Sequence, residues 1–465
     1  MLRSAGKFLA ERLRQIIPDA FVFAILLTLV AGLSAWALTE SSALEVLDAW
    51  FRGFWVLLEF GMQIVLILAT GYAIALSAPV SRIIDASSRR ITNPFQVYLA
   101  VMICGGLLSL VSWSWVIIVA VFAREVAKRV DGIDYSYLTA CVFISSWTWV
   151  CGLSSSIPLL LNTDGNFMIE SGLLEGKIPI DATLGSTTNL VYFIVGIMTI
   201  PALMVLMRPR SAQATALGEM LEQEANATVL TVEREAEQLR YPFNTLSDSL
   251  NHGRAPQLLI ALAGVAYIIF HFASKGFDIN LEIMIFIFLM IGLLAHRTPM
   301  NYVVAMKRSC ANVSGIIFQY PFYAGIMGLM MYTGLGTMIS EWMSGFAGVA
   351  SLPAIAQFAG AVVNFFVPSA GGEWAVVGPS FIESAKSVGS ALPAGELQDL
   401  IAKVALAVAY GETSTNLLQP FFLLIILPVM GAGVRIQARD VMGYMAIPFV
   451  VWYLVTLVIL TWVPM

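Results

Sequence analysis

Apolar runs close to the roughly 20 residues that span a bilayer as a helix recur along nearly the whole chain. Examples are FVFAILLTLVAGLSAWAL (21–38), VYFIVGIMTIPALMVLM (191–207) and YMAIPFVVWYLVTLVILTWV (444–463). Hydrocarbon offers no water to backbone N–H and C=O groups, so each such run must satisfy its own backbone as a helix. A barrel would show short alternating strands instead. Charged residues are 12% of the chain, about half the ~25% usual in soluble domains, while hydrophobic residues reach 58%. The chain therefore reads as an all-α polytopic membrane protein, with the lipid bilayer as a partner and no nucleic acid.

Against that background the stretch AYGETSTNLLQPFF (409–422) stands out. Each unpaired polar group in hydrocarbon costs several kcal/mol, so this segment must face protein or a cavity. Other reactive residue types point to no chemistry. Cys104, Cys141, Cys151 and Cys310 lie singly in apolar segments, and His252, His271 and His296 form no ligand-like cluster. There is no HExxH and no G-x-S-x-G, so the chain is not expected to be an enzyme, and no cofactor or resident metal is expected.

Basic residues near segment ends set sidedness. Residues 1–17 mix Arg3, Lys7, Arg12 and Arg14 with Phe8, Leu9 and Ile16, an amphipathic helix on the cytoplasmic surface. Crossings follow at 18–39 and 54–78, with acidic residues between them and Arg82, Arg89 and Arg90 after. Segments 96–112 and 116–129, split by VSWSW, form a hairpin whose ends are both cytoplasmic, with Arg124 and Glu125 pairing there. Crossings at 135–162 and 187–207 lead to a polar cytoplasmic loop, 208–255, and a linking crossing, 256–275. Segments 280–296, 309–335, a hairpin over 353–388 broken by PSAGGEW, 399–430 and 441–463 complete the chain. The reading gives about nine crossings plus two re-entrant hairpins, with the N-terminus cytoplasmic and the C-terminus external.

The same order thus appears twice, in 18–207 and 276–465, with an offset of about 260 residues and the opposite starting side. VSWSW matches VPSAGGEW, and WVCGLSSSIPLLL matches YGETSTNLLQPFFLL. Inverted-topology repeats with broken helices are a transporter signature, their breaks meeting near the midplane as substrate and ion sites. The candidate substrate-binding residues are those of the breaks. They are Ser112, Trp113, Ser114 and Trp115; Ser154, Ser155 and Ser156; Ser369, Gly371 and Gly372; and Thr413, Ser414, Thr415 and Asn416. Helix starts offer N–H groups to a carboxylate, and helix ends offer carbonyls to Na⁺. No Lys, Arg or His lies in any break, whereas Glu373 and Glu412 do. A carboxylate substrate beside them requires a protonated glutamate or a bound cation. Glu412, Glu373 and Asn416 are accordingly candidates for the coupling ion, Na⁺ or H⁺.

The segments FGMQIVLILATGYAIALSAPV (60–80), VFAREVAKRV (121–130), FQYPFYAGI (318–326), NFFVPSAGGEW (364–374) and AVAYGE…NLLQPF (407–421) resemble the short-chain fatty acid transporter family. The resemblance implies uptake of acetoacetate- or butyrate-like acids across a bacterial cytoplasmic (inner) membrane. It maps the family's hairpin motif onto Gly371, Gly372 and Trp374, and its broken helix onto Gly411, Glu412, Asn416, Gln419 and Pro420. In the wider group of ion-coupled carriers it also implies elevator motion and a homodimer. The competing readings are a Na⁺/H⁺ antiporter and a dicarboxylate carrier of the same architecture.

Overall fold

The computed structural model describes residues 20–56, 58–163, 166–170, 172–209, 214–220, 231–240, 245–276, 281–368 and 370–465. The amphipathic helix expected over 1–17 and the candidate Ser369 lie outside these residues. The described chain is helical, with no β-strand among its elements.

The first half contains α1 (Ala20–Leu38), α2 (Ala43–Val56), α3 (Leu58–Ala75) and α4 (Ala78–Ser88). It continues with α5 (Pro94–Val111), α6 (Val116–Ala127), α7 (Tyr135–Ser145), α8 (Ser156–Leu161) and α9 (Thr187–Met207). A separate helix, α10 (Ala255–Lys275), follows the polar loop. The second half contains α11 (Leu281–Ala295), α12 (Pro299–Asn312), α13 (Ser314–Tyr332) and α14 (Leu335–Ser344). It ends with α15 (Leu352–Val363), α16 (Ala370–Val388), α17 (Ala394–Asn416), α18 (Pro420–Met430) and α19 (Ala446–Trp462).

Local chemistry explains the boundaries. Asn93 caps α5 by accepting from Gln96 N, with Pro94 next to it, and Asp134 caps α7 by accepting from Tyr137 N. The expected crossing at 54–78 is bent at its end, where α3 turns by 64° into α4. Pro79, which has no N–H to continue the ladder, sits at the start of α4. Among the described residues, five helical stretches are long and apolar enough to cross a membrane, or six if the bent pair is one span. They include α5, Tyr135–Leu161, α9, α10 and Ala438–Trp462. The sequence count of about nine takes α5 as a hairpin arm and adds the bent pair, α1 and α11, whose apolar parts are shorter, α13, and α17, which carries the polar run.

Packing pairs the halves. α1 lies on α13, and its counterpart α11 lies on α3. α2 lies on α13, and α12 on α3. α6 meets α18, α16 meets α8, and α9 meets α19. Glycines permit the closest of these approaches: a Cβ at Gly53 of α2 would fall 2.7 Å from Ala324 O of α13.

Contacts at the helix ends join segments that the basic residues place on one side. Arg124 donates to the carbonyls of Val429 (2.7 Å), Met430 (3.2 Å) and Ala432, and Tyr135 OH donates to Met430 O (2.7 Å). The expected Arg124–Glu125 pair is therefore replaced. Arg124 satisfies carbonyls left over at the end of α18, and Glu125 pairs with Lys128 instead. At the other ends, Thr188 Oγ1 donates to Pro464 O (2.9 Å), Lys403 Nζ to Val463 O (2.6 Å), and Arg52 lies over Tyr332.

Candidate functional site

α15 and α17 pack almost backbone to backbone. A Cβ at Gly411 would stand 2.1 Å from Gln357 O, and one at Gly360 would stand 2.5 Å from Val408 O. Only glycine at both places allows this approach, and it delivers Asn364, at the end of α15, to the polar run of α17. Asn364 Nδ2 lies within bonding distance of Glu412 O (3.0 Å), Thr415 Oγ1 (2.8 Å) and Asn416 Oδ1 (2.6 Å). Gln419 Nε2 donates back to Asn364 O. The hairpin tip is thereby tied to the end of α17.

The sequence reading breaks the helix within Gly411–Asn416, whereas α17 continues through Asn416. The hydroxyls bond their own helix: Ser414 Oγ donates to Tyr410 O (2.8 Å) and Thr415 Oγ1 to Gly411 O (3.1 Å). The interruption comes at Leu417–Gln419, just before Pro420 opens α18. In the second hairpin the interruption instead precedes the expected one. Residues 364–368 leave the helix, and Gly371, Gly372 and Glu373 lie in the first turn of α16.

Glu373 is 0% exposed and Glu412 1%, so neither carboxyl meets solvent. Both oxygens of Glu373 and Oε2 of Glu412 have no hydrogen-bond partner among the described residues. Glu373 Oε1 sits over Gly360, 3.0 Å from where a Cβ would be, which places it in the α15–α17 seam. The two carboxyls are near enough to act on each other electrostatically, and the Asn416 side chain lies beside Glu412. Gln357 Oε1, Asn364 Oδ1, Thr413 Oγ1 and Gln419 Oε1 are also buried without donors. The cluster has a surplus of acceptors and no basic side chain. Two bare carboxylates in a low-dielectric seam repel strongly, so the arrangement requires a positive partner, a proton or a cation.

Next to this cluster lies a small cleft, partly open at its mouth. Thr413, Asn416 and Leu417 of the α17 end form one wall. The other walls come from Trp113 and Val116 of the first hairpin, from Phe143, Trp147 and Trp149, and from Phe422 and Ile426 of α18. Thr413 Oγ1 and Asn416 Nδ2 are buried without a hydrogen-bond partner among the described residues, and both residues line the cleft. The cleft is amphipathic: a donor-bearing polar wall faces aromatic and aliphatic ones.

The structure divides the sequence candidates. Trp113, Thr413 and Asn416 reach the cleft, and Glu373, Glu412 and Thr415 form the polar cluster beside it. Ser154 Oγ accepts from Trp113 N (3.0 Å) and so fixes the first hairpin's break against the neighbouring broken segment. Ser155 is buried with its Oγ unpartnered, and Ser156 opens α8. Ser112 caps the end of α5, and Ser114 lies in the 3-10 turn Trp113–Trp115. Trp115 does not join the cleft. Its ring stacks on Phe288 at 5.6 Å, which an indole does readily when an aromatic face lies opposite. Ser414 is also excluded, being turned into its own helix.

Sequence reasoning missed Asn364, Gln357, Trp147, Trp149 and Phe422 as site residues. The SWTWV run (146–150) carried a usable signal, an aromatic cluster beside a predicted break. Asn364 carried one too, as the only amide beside the PSAGGE break.

An all-helical chain with several membrane-length apolar helices, a buried ionisable pair and an adjoining amphipathic cleft defines a multi-pass membrane protein of the transporter class. The family model described as "Short chain fatty acid transporter" matches residues 1–463, and the chain belongs to that family. Two relatives are named as short-chain fatty acid transporters. One, from Escherichia coli (strain K12), is 35% identical over 445 residues, and one from Haemophilus influenzae is 32% identical over 449 residues. Each alignment covers 96% of both chains. Among solved structures, the Alcanivorax borkumensis YdaH transporter matches with TM-score 0.48 and 14% identity, covering 96% of this chain and 98% of that one. Neisseria gonorrhoeae MtrF matches with TM-score 0.40 and 14% identity, covering 98% of this chain and 97% of that one. The family and these relatives are transporters and not enzymes.

Proposed function

We propose that the chain is a secondary carrier that imports short-chain monocarboxylates, butyrate- or acetoacetate-like, in symport with Na⁺ or H⁺. It works by alternating access of the elevator type in a bacterial cytoplasmic membrane, with a cytoplasmic N-terminus, an external C-terminus and a homodimeric assembly. The observation that carries this reading is the adjacency of the buried Glu373–Glu412 pair and the amphipathic cleft, with Thr413 and Asn416 in the wall between them. A carboxylate takes the donors of Thr413 and Asn416 while its tail lies on Trp113 and Phe422. The cation neutralises the glutamates behind, so substrate and cation enter together.

Two inverted repeats, 18–207 and 276–465 about the linking helix 256–275, account for the paired packing. Exchange of the halves turns the α1–α13 contact into α11–α3 and the α6–α18 contact into α16–α8. The aromatic walls speak against a pure Na⁺/H⁺ antiporter, which has no use for them. The test is uptake of labelled butyrate, acetoacetate and succinate by proteoliposomes under imposed Na⁺ or H⁺ gradients. Accumulation of the monocarboxylates driven by one gradient supports the carrier. Gradient-driven exchange of cations with no carboxylate uptake, or succinate alone, overturns it.

A further inference from the structure

Trp147 is a cleft residue that nothing above assigns a task. It is 3% exposed, and its surroundings leave it no retreat. Tyr192 (5.6 Å), Trp452 (5.1 Å) and Phe193 (6.4 Å, nearly parallel) surround its ring. Its benzo edge presses on α9 at Gly196, where an added Cβ would stand 2.1 Å from Cη2 and 2.6 Å from Cζ3. Tyr192 and Trp452 are themselves held, since Trp452 Nε1 donates to Tyr192 OH (2.9 Å) and Tyr192 stacks on Tyr410 at 3.8 Å. Trp113, which also lines the cleft, meets Phe422 edge-on at 6.4 Å.

The geometry points to Trp147 as the fixed end wall that limits the length of the acyl tail, with Gly196 as the positioning residue that sets where this wall stands. This inference rests on the carrier reading of the cleft and adds its specificity device. Packed interiors transmit a displacement of a few tenths of an ångström instead of absorbing it. A side chain at 196 therefore drives the indole toward its remaining free side, the cleft. A smaller ring at 147 opens the same end. Each methylene that finds apolar cover adds about four-fold to affinity, so affinity climbs with tail length until the tail meets the wall.

The test is competition against labelled butyrate uptake in proteoliposomes by unbranched acids of two to eight carbons. For the parent, inhibition should strengthen about four-fold per carbon and then turn over. Trp147→Phe should move the turning point one to two carbons longer, and Gly196→Ala should move it shorter. The double variant should return it toward the parent, because the smaller ring accommodates the added methyl. If Gly196→Ala fails to fold, Trp147→Phe and recovery of folding in the double variant carry the same test. Should the single variants weaken all acids by one common factor, with the turning point unmoved, the wall has no ruler role, although the carrier reading stands. No competition by any acid in the parent overturns the carrier reading itself, and the ruler with it.

Discussion

Glu412 and Glu373 differ in how much of their setting a sequence reveals. Glu412 lies deep in an apolar segment, and its burial follows from the flanking IAKVALAV and LLIILPVM. Glu373 sits near a hairpin break, where a solvated position is equally compatible with the pattern, yet it is fully buried. What buries it is Gly360 on another helix, and no local pattern encodes that contact. Glu412→Gln keeps size and hydrogen bonding while removing the charge that engages a cation. Gradient-driven accumulation of substrate is expected to fall to the equilibrium level, while substrate exchange across the membrane persists. Counterflow and net-uptake assays on the same proteoliposomes check this, and undiminished accumulation by the variant would leave Glu412 a structural role alone. Asn364→Ala removes the donor shared by Glu412 O, Thr415 Oγ1 and Asn416 Oδ1, of which Glu412 O keeps the Thr415 hydroxyl at 3.2 Å. The loss should be about 1–3 kcal/mol for a buried polar group deprived of its partner, read as a lower midpoint in thermal unfolding of the purified protein.

At the scale of elements, the breaks were legible in kind but misplaced by a few residues. Gly, Ser, Thr and Asn weaken a helix in water, so GETSTN reads as an interruption. In the α15–α17 seam those side chains find carbonyls of their own helix, and Asn364 covers the rest, so the helix survives to Asn416. The glycine inside the run serves close packing. Gly411→Ala would set a methyl 2.1 Å from Gln357 O. It is expected to destabilise the protein by about 1–3 kcal/mol through overpacking and to prise Asn364 off its acceptors. A lowered thermal midpoint together with reduced uptake checks it. An unchanged midpoint would mean that the seam opens freely and is no fixed hinge between hairpin and helix. The first half has the matching device at Gly152, where a Cβ would fall 2.1 Å from Leu110 O. Each hairpin is thus locked to the broken segment of its own half, one by backbone and Ser154, the other by Asn364.

At the scale of the whole molecule, the two halves of the chain bring different chemistry to the candidate site. The second half supplies the carboxyls and amides, and the first supplies Trp113, Phe143, Trp147 and Trp149. The apolar helices and the presence of breaks were readable in the sequence, because hydrophobicity and helix breakers are local properties. Which helices touch was not readable, since lipid-facing and protein-facing apolar residues look alike in sequence. The contacts nonetheless test the sidedness drawn from Arg and Lys. The end of α6 and the end of α18 share Arg124, and the start of α9 and the end of the chain share the Thr188–Pro464 bond. The loop before α10 belongs with the first set, since Tyr135 N donates to Thr215 O (3.0 Å) and Arg308 pairs with Glu235. Residues 219 and 465 should therefore lie on opposite faces of the membrane. With Cys104, Cys141, Cys151 and Cys310 replaced by alanine, single cysteines at Glu219 and Met465 can be labelled in intact cells with an impermeant maleimide. Met465→Cys should react from outside, and Glu219→Cys only after the membrane is opened. Labelling of both from outside would place an even number of crossings between them and remove the inverted relation on which the shared midplane site depends.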